Sequence, residues 1–550
     1  MSTNLSKQKR DDLTEKIRKI YKYIAKSPQD ENTSNLLTWL SEIEKEIKTK
    51  KFGLVFEEHR EAIDQKLETH IPVLTENKKL FIDNSGQINS LIEGDNLAAL
   101  KLLLKTHKGR VDVIYIDPPY NRGGNDFIYD DKRIDSTDTF RHSKWLSSMK
   151  KRLNIARILL KSTGAIFISI DNIEQAPLRL LCDEIFSDNN FIGILIWRKK
   201  EGGGQTDSYF VTEHEYILAY SKSELFKWRD EEIPASEAQF NKEDKFGKFT
   251  AVKLAKWGNS ARKEDRPTMY FSIRDPKGKK VYPIAPDGAA GRWRIGKKRM
   301  DELIEKKLIL WLEKNNKFTP YEKIYYSDEK IKKIKERSIL YDLTTTTDGT
   351  NELTRIFGIK DVFENPKPIE LIKFFLRYST GDKSIILDFY AGSGTTGHAV
   401  MKLNSEDNGT RHFILCTNNE NNICRDVTYE RIKRVIKKEN YPASLKYYKI
   451  DFVPISDKLY YEYADQLLKH IRELVELENA INFTGNDKIA IILADDELDD
   501  FVKNIKKYKN CRKLYRAHNV LVSGKQAITL KNAKIKTIVI PDYYYGELEI

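Results

Sequence analysis

Apolar positions along this chain follow two different periods. From Leu13 through Ile17, Ile20, Tyr21 and Ile24 they recur every 3.6 residues. After a break at Pro28 they resume with Leu36, Leu37, Leu40, Ile43 and Ile47. That spacing predicts helices over residues 9–50. From about Leu80 the pattern becomes short apolar runs alternating with amphipathic stretches. Val111-Asp-Val-Ile-Tyr-Ile-Asp117 and Gly164-Ala-Ile-Phe-Ile-Ser-Ile-Asp171 are runs that end in an acid, as buried parallel strands do. Between them, residues 141–161 predict a helix through Trp145, Met149, Leu153, Ile158 and Leu159. Phe191–Trp197 and Glu215–Tyr220 predict two more strands, separated by Gly202-Gly-Gly204.

The alternation stops over residues 226–350, which are rich in Lys, Arg, aromatics and turns such as Pro276-Lys-Gly278 and Pro286-Asp-Gly288. It returns with the strand Ser384–Asp388, a glycine-rich turn, a helix from about Thr395, the strand His412–Cys416 and a basic helix over 424–438. Lys488–Leu493 and Ile535–Ile540 are strand-like runs in the last segment. The expected fold is therefore α/β. We divide it into a helical N-terminal region (1–79), two α/β halves (80–225 and 351–440), an inserted domain (226–350) and a small C-terminal α/β domain (441–550).

Composition narrows the class. A chain of 550 residues exceeds one ordinary domain, and 40% hydrophobic with 32% charged residues is globular. Net charge of +13 favours a polyanionic partner over an ordinary basic surface. The cysteines, Cys182, Cys416, Cys424 and Cys511, form no CxxC pair, so neither a disulfide framework nor a metal site is expected. No apolar run reaches the roughly 18–20 residues of a membrane span. The N-terminus lacks a signal-peptide core. The expected compartment is the cytoplasm, at the nucleoid.

Two segments carry chemistry. Asp117-Pro118-Pro119-Tyr120 follows a strand, and ligands of open α/β sheets bind beyond the carboxyl ends of strands. An adenine amine is a poor nucleophile because its lone pair is delocalised into the ring. A carboxylate (Asp117) and a carbonyl (Pro118) accepting both of its N–H groups favour a pyramidal nitrogen free to attack a methyl sulfonium. The prolines stiffen the loop, and Tyr120 offers a ring for a base to stack on. The plain alternative is a rigid turn with Tyr120 as packing.

The second segment is Asp388-Phe-Tyr390-Ala-Gly392-Ser-Gly394-Thr395-Thr-Gly397, a strand feeding a glycine turn that opens a helix. Asp388 suits a ligand ammonium group, and Tyr390, Gly392, Gly394 and Thr395 the cradle. Glu420, after the next strand, suits ribose hydroxyls. The glycines also satisfy GxGxxG, so this string alone admits a nicotinamide cofactor. The Asp117 loop shifts the reading to S-adenosylmethionine. Asp95 or Asn96 suits the cofactor's adenine, although Asp95 suits a helix N-cap equally well. Lys367, in Asn365-Pro-Lys-Pro368, suits the cofactor's carboxylate, against a simple proline-marked helix start.

Tyr115-Ile-Asp-Pro-Pro-Tyr-Asn121, Gly124-Asn-Asp-Phe-Ile-Tyr129, Thr212-Glu-His-Glu-Tyr216, Lys263-Glu-Asp-Arg-Pro267, Asp388 through Ala399, Arg425-Asp-Val-Thr-Tyr-Glu-Arg-Ile432 and Ile540-Pro-Asp-Tyr-Tyr544 resemble one family. It is the modification (Mod) subunit of type III restriction-modification systems, beta-class adenine-specific DNA methyltransferases. The resemblance covers most of the chain. It implies a permuted Rossmann-like methyltransferase sheet with an inserted target recognition domain. It implies Asp117, Pro118, Pro119 and Tyr120 as catalytic motif, and Asp388, Gly392 and Gly394 as cofactor loop. Tyr390 stands where the family usually has Phe. The resemblance further implies a homodimer and a restriction (helicase-nuclease) subunit as partner, with the C-terminal domain as a contact for either.

In the insert, Lys256, Arg262, Arg266, Arg292 and Arg294 are the expected DNA contacts, with Trp257, Tyr270, Phe271 and Trp293 interleaved. Basic groups would anchor phosphates and a few side chains would read bases. The target base must leave the stack, at roughly a few kcal/mol. Other readings stay open at this stage: a cytosine-N4 methyltransferase, which Asp117 rather than Ser disfavours, a non-catalytic DNA-binding subunit, and an oxidoreductase. Charge alone leaves RNA open as the polyanion.

Overall fold

The computed structural model describes residues 5–24, 31–48, 54, 56–123, 128–129, 132–133, 138–202, 209–229, 231–234, 240–314, 317–326, 331–455, 461–484 and 486–545. The motif residues 124–127 and Gly203 and Gly204 lie outside these. The chain forms two compact units, Arg229–Arg337 and the remainder.

The larger unit is built on a ten-stranded sheet. We number its strands in chain order: β1 (His70–Glu76), β2 (Gln87–Glu93), β3 (Val111–Ile116), β4 (Leu160–Ile170), β5 (Phe191–Arg198), β6 (His214–Ser221), β7 (Ile339–Leu340), β8 (Ile385–Asp388), β9 (His412–Thr417) and β10 (Ala443–Pro454). Their order across the sheet is β1-β10-β2-β9-β8-β3-β4-β6-β5-β7. From β10 to β4 every neighbouring pair is parallel. β6 runs antiparallel to both β4 and β5, and β1 antiparallel to β10.

The parallel centre explains the unbroken apolar runs, because helices cover both faces. Within β3, Ile114 and Ile116 enter one core with Leu100, Leu103, Trp145, Met149 and Leu181. Val113 and Tyr115 enter the other, with Phe375, Leu376, Val400, Ile432 and Val435. Helices Asn96–His107, Arg141–Leu159 and Gln175–Phe186 supply the first layer. Helices Ile369–Ser379, Thr395–Asp407 and Glu430–Glu439 supply the second.

Three expected boundaries are corrected. His70–Glu76 is a sheet strand, so the region up to 79 is not wholly helical. The inserted unit ends at Arg337 rather than 350, because Ile339–Leu340 pairs with β5 and the backbone N–H of Thr346 donates to Lys199 of the larger unit. Ala443–Pro454 belongs to the main sheet, pairing with β2 on one side and β1 on the other, so no separate domain starts at 441. Beyond it, Ile489–Ile492, Lys513–Ala517 and Lys536–Ile540 form a three-stranded parallel sheet within the same unit.

The smaller unit holds a four-stranded antiparallel sheet made of Lys242–Asp244, Gly247–Lys253, Lys317–Tyr325 and Ile309–Lys314. Its own core gathers Leu254, Ile273, Trp293, Met300 and Leu303. Among the described residues no helix is long and apolar enough to cross a membrane.

Candidate active site

β3 and β8 are adjacent and parallel, with Leu387 opposite Ile114. Their carboxyl ends therefore deliver the Asp117 loop and the Asp388 loop side by side, at the kind of sheet position where ligands bind. A cavity of about 770 Å³ opens there, lined among others by Asp117, Pro118, Tyr120, Glu215, Phe363 and Lys367.

The first loop is held from below. Trp145 is buried, and its Nε1 donates to the Pro119 carbonyl at 2.7 Å. Among the described residues no donor reaches the Pro118 carbonyl, while Pro118 lines the cavity. One carbonyl thus fixes the loop and its neighbour stays available. The Tyr120 hydroxyl donates to Asp117 Oδ1 at 2.7 Å and also lies 3.2 Å from Glu215 Oε2. One proton serves only one acceptor at a time. Burial, followed by the charges of Asp117 and Glu215, pushes the Tyr120 phenol well above its ordinary range, so it remains a donor.

Lys367 caps the same carboxylate. Its Nζ sits 2.9 and 2.8 Å from the two oxygens of Asp117 and 3.4 Å from Glu215. Burial opposes its charge, but Asp117 and Glu215 more than offset this and raise its pKa. Glu215 also receives Lys199 at 3.1 Å and lies 3.6 Å from Arg122, which in turn holds Asp171 at 2.7 Å. Burial pushes the Glu215 carboxyl up, yet Lys367, Lys199 and Arg122 hold it below the usual carboxylate range. Glu215, Arg122 and Lys199 were not singled out from sequence. Glu215 stood in sequence only at the start of a predicted strand and within the Thr212–Tyr216 motif, and its acid type in an otherwise apolar run was the available signal.

The second loop is shaped by Asp388. Its Oδ1 accepts the Tyr390 N–H at 3.0 Å and its Oδ2 the Thr396 hydroxyl at 2.5 Å. Burial pushes this carboxyl up to about 7, with the two hydrogen bonds pulling it down and Asp117 pushing it further up. Gly394 has φ of 77°, a left-handed turn that favours glycine, and opens the helix Thr395–Asp407. A Cβ on Gly397 would meet Ile432 at 2.9 Å and Leu415 at 3.1 Å, so this glycine seats the helix on the sheet. Phe363 packs where a Cβ on Gly392 would fall, 3.1 Å away, and also lines the cavity, linking the two loops. Among the described residues the N–H groups of Gly392 and Ser393 meet no protein acceptor. The first N–H groups of the helix also lack intrahelical partners. This is a cradle fitted to a polar ligand.

The remaining expected residues are placed as follows. Thr395 donates to the Lys367 carbonyl at 3.0 Å and accepts from buried Arg431 at 2.7 Å. Asn96 donates to the Phe389 carbonyl at 3.1 Å and accepts from Arg152 at 2.6 Å, tying the helix Asn96–His107 to the second loop. Asp95 caps that helix, accepting from Leu97 and Ala98 N–H at 2.7 and 3.1 Å, so the capping alternative holds. Tyr390 turns its hydroxyl towards the Met149 sulfur at 3.6 Å. Lys367 places its ammonium on Asp117, and its main-chain oxygen reaches the glycine loop at Thr395. Glu420 is exposed. The buried acid at this edge is Glu93, level with Thr417 and held by Tyr447 at 2.5 Å and Arg425 at 3.0 Å.

In the smaller unit Arg262, Arg266 and Arg294 are exposed and Lys256 is half-buried. Arg262 pairs with Asp287 at 2.6 Å. Arg292 is corrected: it is buried, with Nε donating to the Ser260 carbonyl at 2.5 Å, which removes it from any DNA surface. Trp293 is likewise core, donating to the Phe271 carbonyl at 2.8 Å. Trp257 is exposed, with Lys253 Nζ 4.5 Å from its ring centre.

An Asp-Pro-Pro-Tyr loop and a glycine loop leaving adjacent parallel strands of one sheet are the arrangement of the amino-methyltransferase class. The chain belongs to the DNA methylase family, whose model matches residues 111–285 and 294–430. It is 36% identical over 393 residues to the type II methyltransferase M.KpnI of Klebsiella pneumoniae, covering 66% of this chain and 91% of that one. It is 33% identical over 413 residues to the EcoPI Mod subunit, from a type III restriction-modification enzyme of Escherichia phage P1. That match covers 65% of this chain and 63% of the relative. With the StyLTI Mod subunit of Salmonella typhimurium it shares 34% identity over 402 residues, 66% of this chain and 59% of the relative. The chain thus spans about three fifths of the Mod subunits it matches.

Proposed function

We propose that this chain transfers a methyl group from S-adenosylmethionine to N6 of an adenine in double-stranded DNA. We read it as the modification and specificity subunit of a type III restriction-modification system. One observation carries the reading: the Asp117 carboxylate and the open Pro118 carbonyl share a cavity beside the glycine loop. An amine entering there has an acceptor for each N–H, which frees its lone pair in the direction of that loop. Bound S-adenosylmethionine supplies an electrophilic methyl on a sulfonium. The chain's own part is to orient the amine, exclude water and hold the loops together.

The cradle of Gly392, Ser393 and the helix start suits the methionine end of the cofactor, with Asp388 shaping the turn. Asp117 in first position supports adenine over cytosine. We assign DNA reading to the unit Arg229–Arg337, through Arg266, Arg294, Lys256 and the Lys253–Trp257 pair. The Mod relatives support a restriction subunit as partner, and we further propose a second copy of the chain.

Methylation-sensitive sequencing of plasmid DNA treated with purified protein and S-adenosylmethionine tests this. N6-methyladenine in one sequence context is expected. N4-methylcytosine, or no modification, would overturn the reading.

A further inference from the structure

Lys367 presents N–H donors to both oxygens of Asp117, and the amine of a target base must reach one of them. Lys367 and the amine therefore compete for the acceptor sites of one carboxylate. Oδ1 already accepts from Tyr120, and a bidentate ammonium draws electron density from the group that should activate the amine. Glu215 already pairs with the same Nζ at 3.4 Å, so a small shift shortens that ion pair to a full charge-assisted hydrogen bond. The cavity thus holds one cation between two carboxylates, one facing the base and one set behind it.

We propose that Lys367 is a positioning residue that stands in for the target amine on Asp117, and that Glu215 receives it when the base enters. This inference rests on the methyltransferase reading above. Lys367 separates two carboxylates that would otherwise repel across Tyr120. On base entry it moves to Glu215, and Asp117 is released without leaving a buried cation unpaired.

The test uses the full-length protein and its own recognition duplex, identified by the sequencing above, with 2-aminopurine at the target position. Base entry is read as fluorescence gain, and transfer as the single-turnover rate on unlabelled duplex. Lys367→Arg keeps the charge but grips Asp117 bidentately, so it should slow entry and transfer by about tenfold or more. Lys367→Gln, which loses the charge, should slow entry less than Lys367→Arg does. A purely structural cation predicts the reverse order. Glu215→Gln should trap Lys367 on Asp117 and slow entry, and the double variant Glu215→Gln/Lys367→Gln should recover most of it. Glu215→Asp should retain most of the entry rate.

Thermal unfolding confirms that each variant is folded. If Glu215→Gln is not, the Arg-against-Gln comparison at 367 decides alone. Arg performing as well as or better than Gln, or a double variant no better than Glu215→Gln, would overturn the hand-over. Either result leaves wild-type methylation in place, whereas a wild-type protein that modifies no adenine sinks the parent reading instead.

Discussion

The hydroxyl of Thr395 donates to the main-chain oxygen of Lys367 at 3.0 Å. Thr395 opens the helix after the glycine turn, and the Lys367 side chain grips Asp117. A single residue therefore spans the two loops, main chain to one and ammonium to the other. Geometry at the methyl-accepting side is tied to geometry at the cofactor side through this bond.

Thr395→Val keeps the shape and removes the hydroxyl. It removes the donor to the Lys367 carbonyl in a buried place, while Arg431 keeps Ser393 as a partner. The cost should be about 1–3 kcal/mol of stability. Urea denaturation of the ligand-free protein measures it. The transfer rate should fall as well, since Asp117 loses part of its support. A variant as stable as wild type would show that water replaces the hydroxyl without loss.

Asp117→Ala removes the acceptor that orients the amine. By comparison with the removal of other transition-state hydrogen-bond partners, the rate should drop by about 10²–10³-fold or more. The glycine cradle is untouched, so affinity for S-adenosylmethionine should remain near wild type. Single-turnover methylation and calorimetric titration separate the two effects. Unchanged transfer in this variant would contradict the assigned role.

The two loops were legible in sequence because their residue types are rare in combination and each follows an apolar run ending in an acid. The strands β3, β4 and β8 were legible for the same reason, and β9 from its apolar run alone. What was not legible depends on long-range pairing. β1 and β10 carry mixed polar and apolar residues, and only their register against one another and β2 makes them strands. Glu215 and Arg122 gain meaning from neighbours far away in the chain. Arg292 looked like its exposed basic neighbours until the turn at Ser260 enclosed it. The contact of Lys367 with Asp117 was not legible, since sequence gives the loop and not the direction of a flexible side chain.

Arg292 and Arg266 should separate in experiment. Arg292→Ala removes a guanidinium that satisfies the Ser260 carbonyl, so it should destabilise the unit Arg229–Arg337 by about 1–3 kcal/mol. Arg266→Ala lies on the surface and should leave unfolding unchanged within about 0.5 kcal/mol. If that surface binds DNA, it should instead reduce affinity and lower the slope of log affinity against log salt by about one. Thermal melts and salt-dependent anisotropy on a target duplex give both readouts. Loss of DNA affinity in the Arg292 variant without loss of stability would reverse the assignment.

The pH dependence of stability should carry the mark of Asp388. Burial raises its carboxyl from the ordinary 3.8 to about 7. A group raised in the folded chain binds its proton more tightly folded than unfolded. Its contribution is therefore whole below about pH 3.8 and is lost as pH rises through about 7. Asp388→Asn cannot titrate and does not suffer this loss. Its stability relative to wild type should improve steadily between pH 4 and pH 7 and level off above. A fixed offset from the altered hydrogen bonds to Thr396 and Tyr390 shifts the whole curve without changing its slope. Denaturant unfolding at half-unit pH intervals, without cofactor, measures the difference. Parallel curves across that window would mean that Asp388 is ionised throughout. A cationic group that settles beside Asp388 would then find its counter-charge already in place, with no proton released on binding.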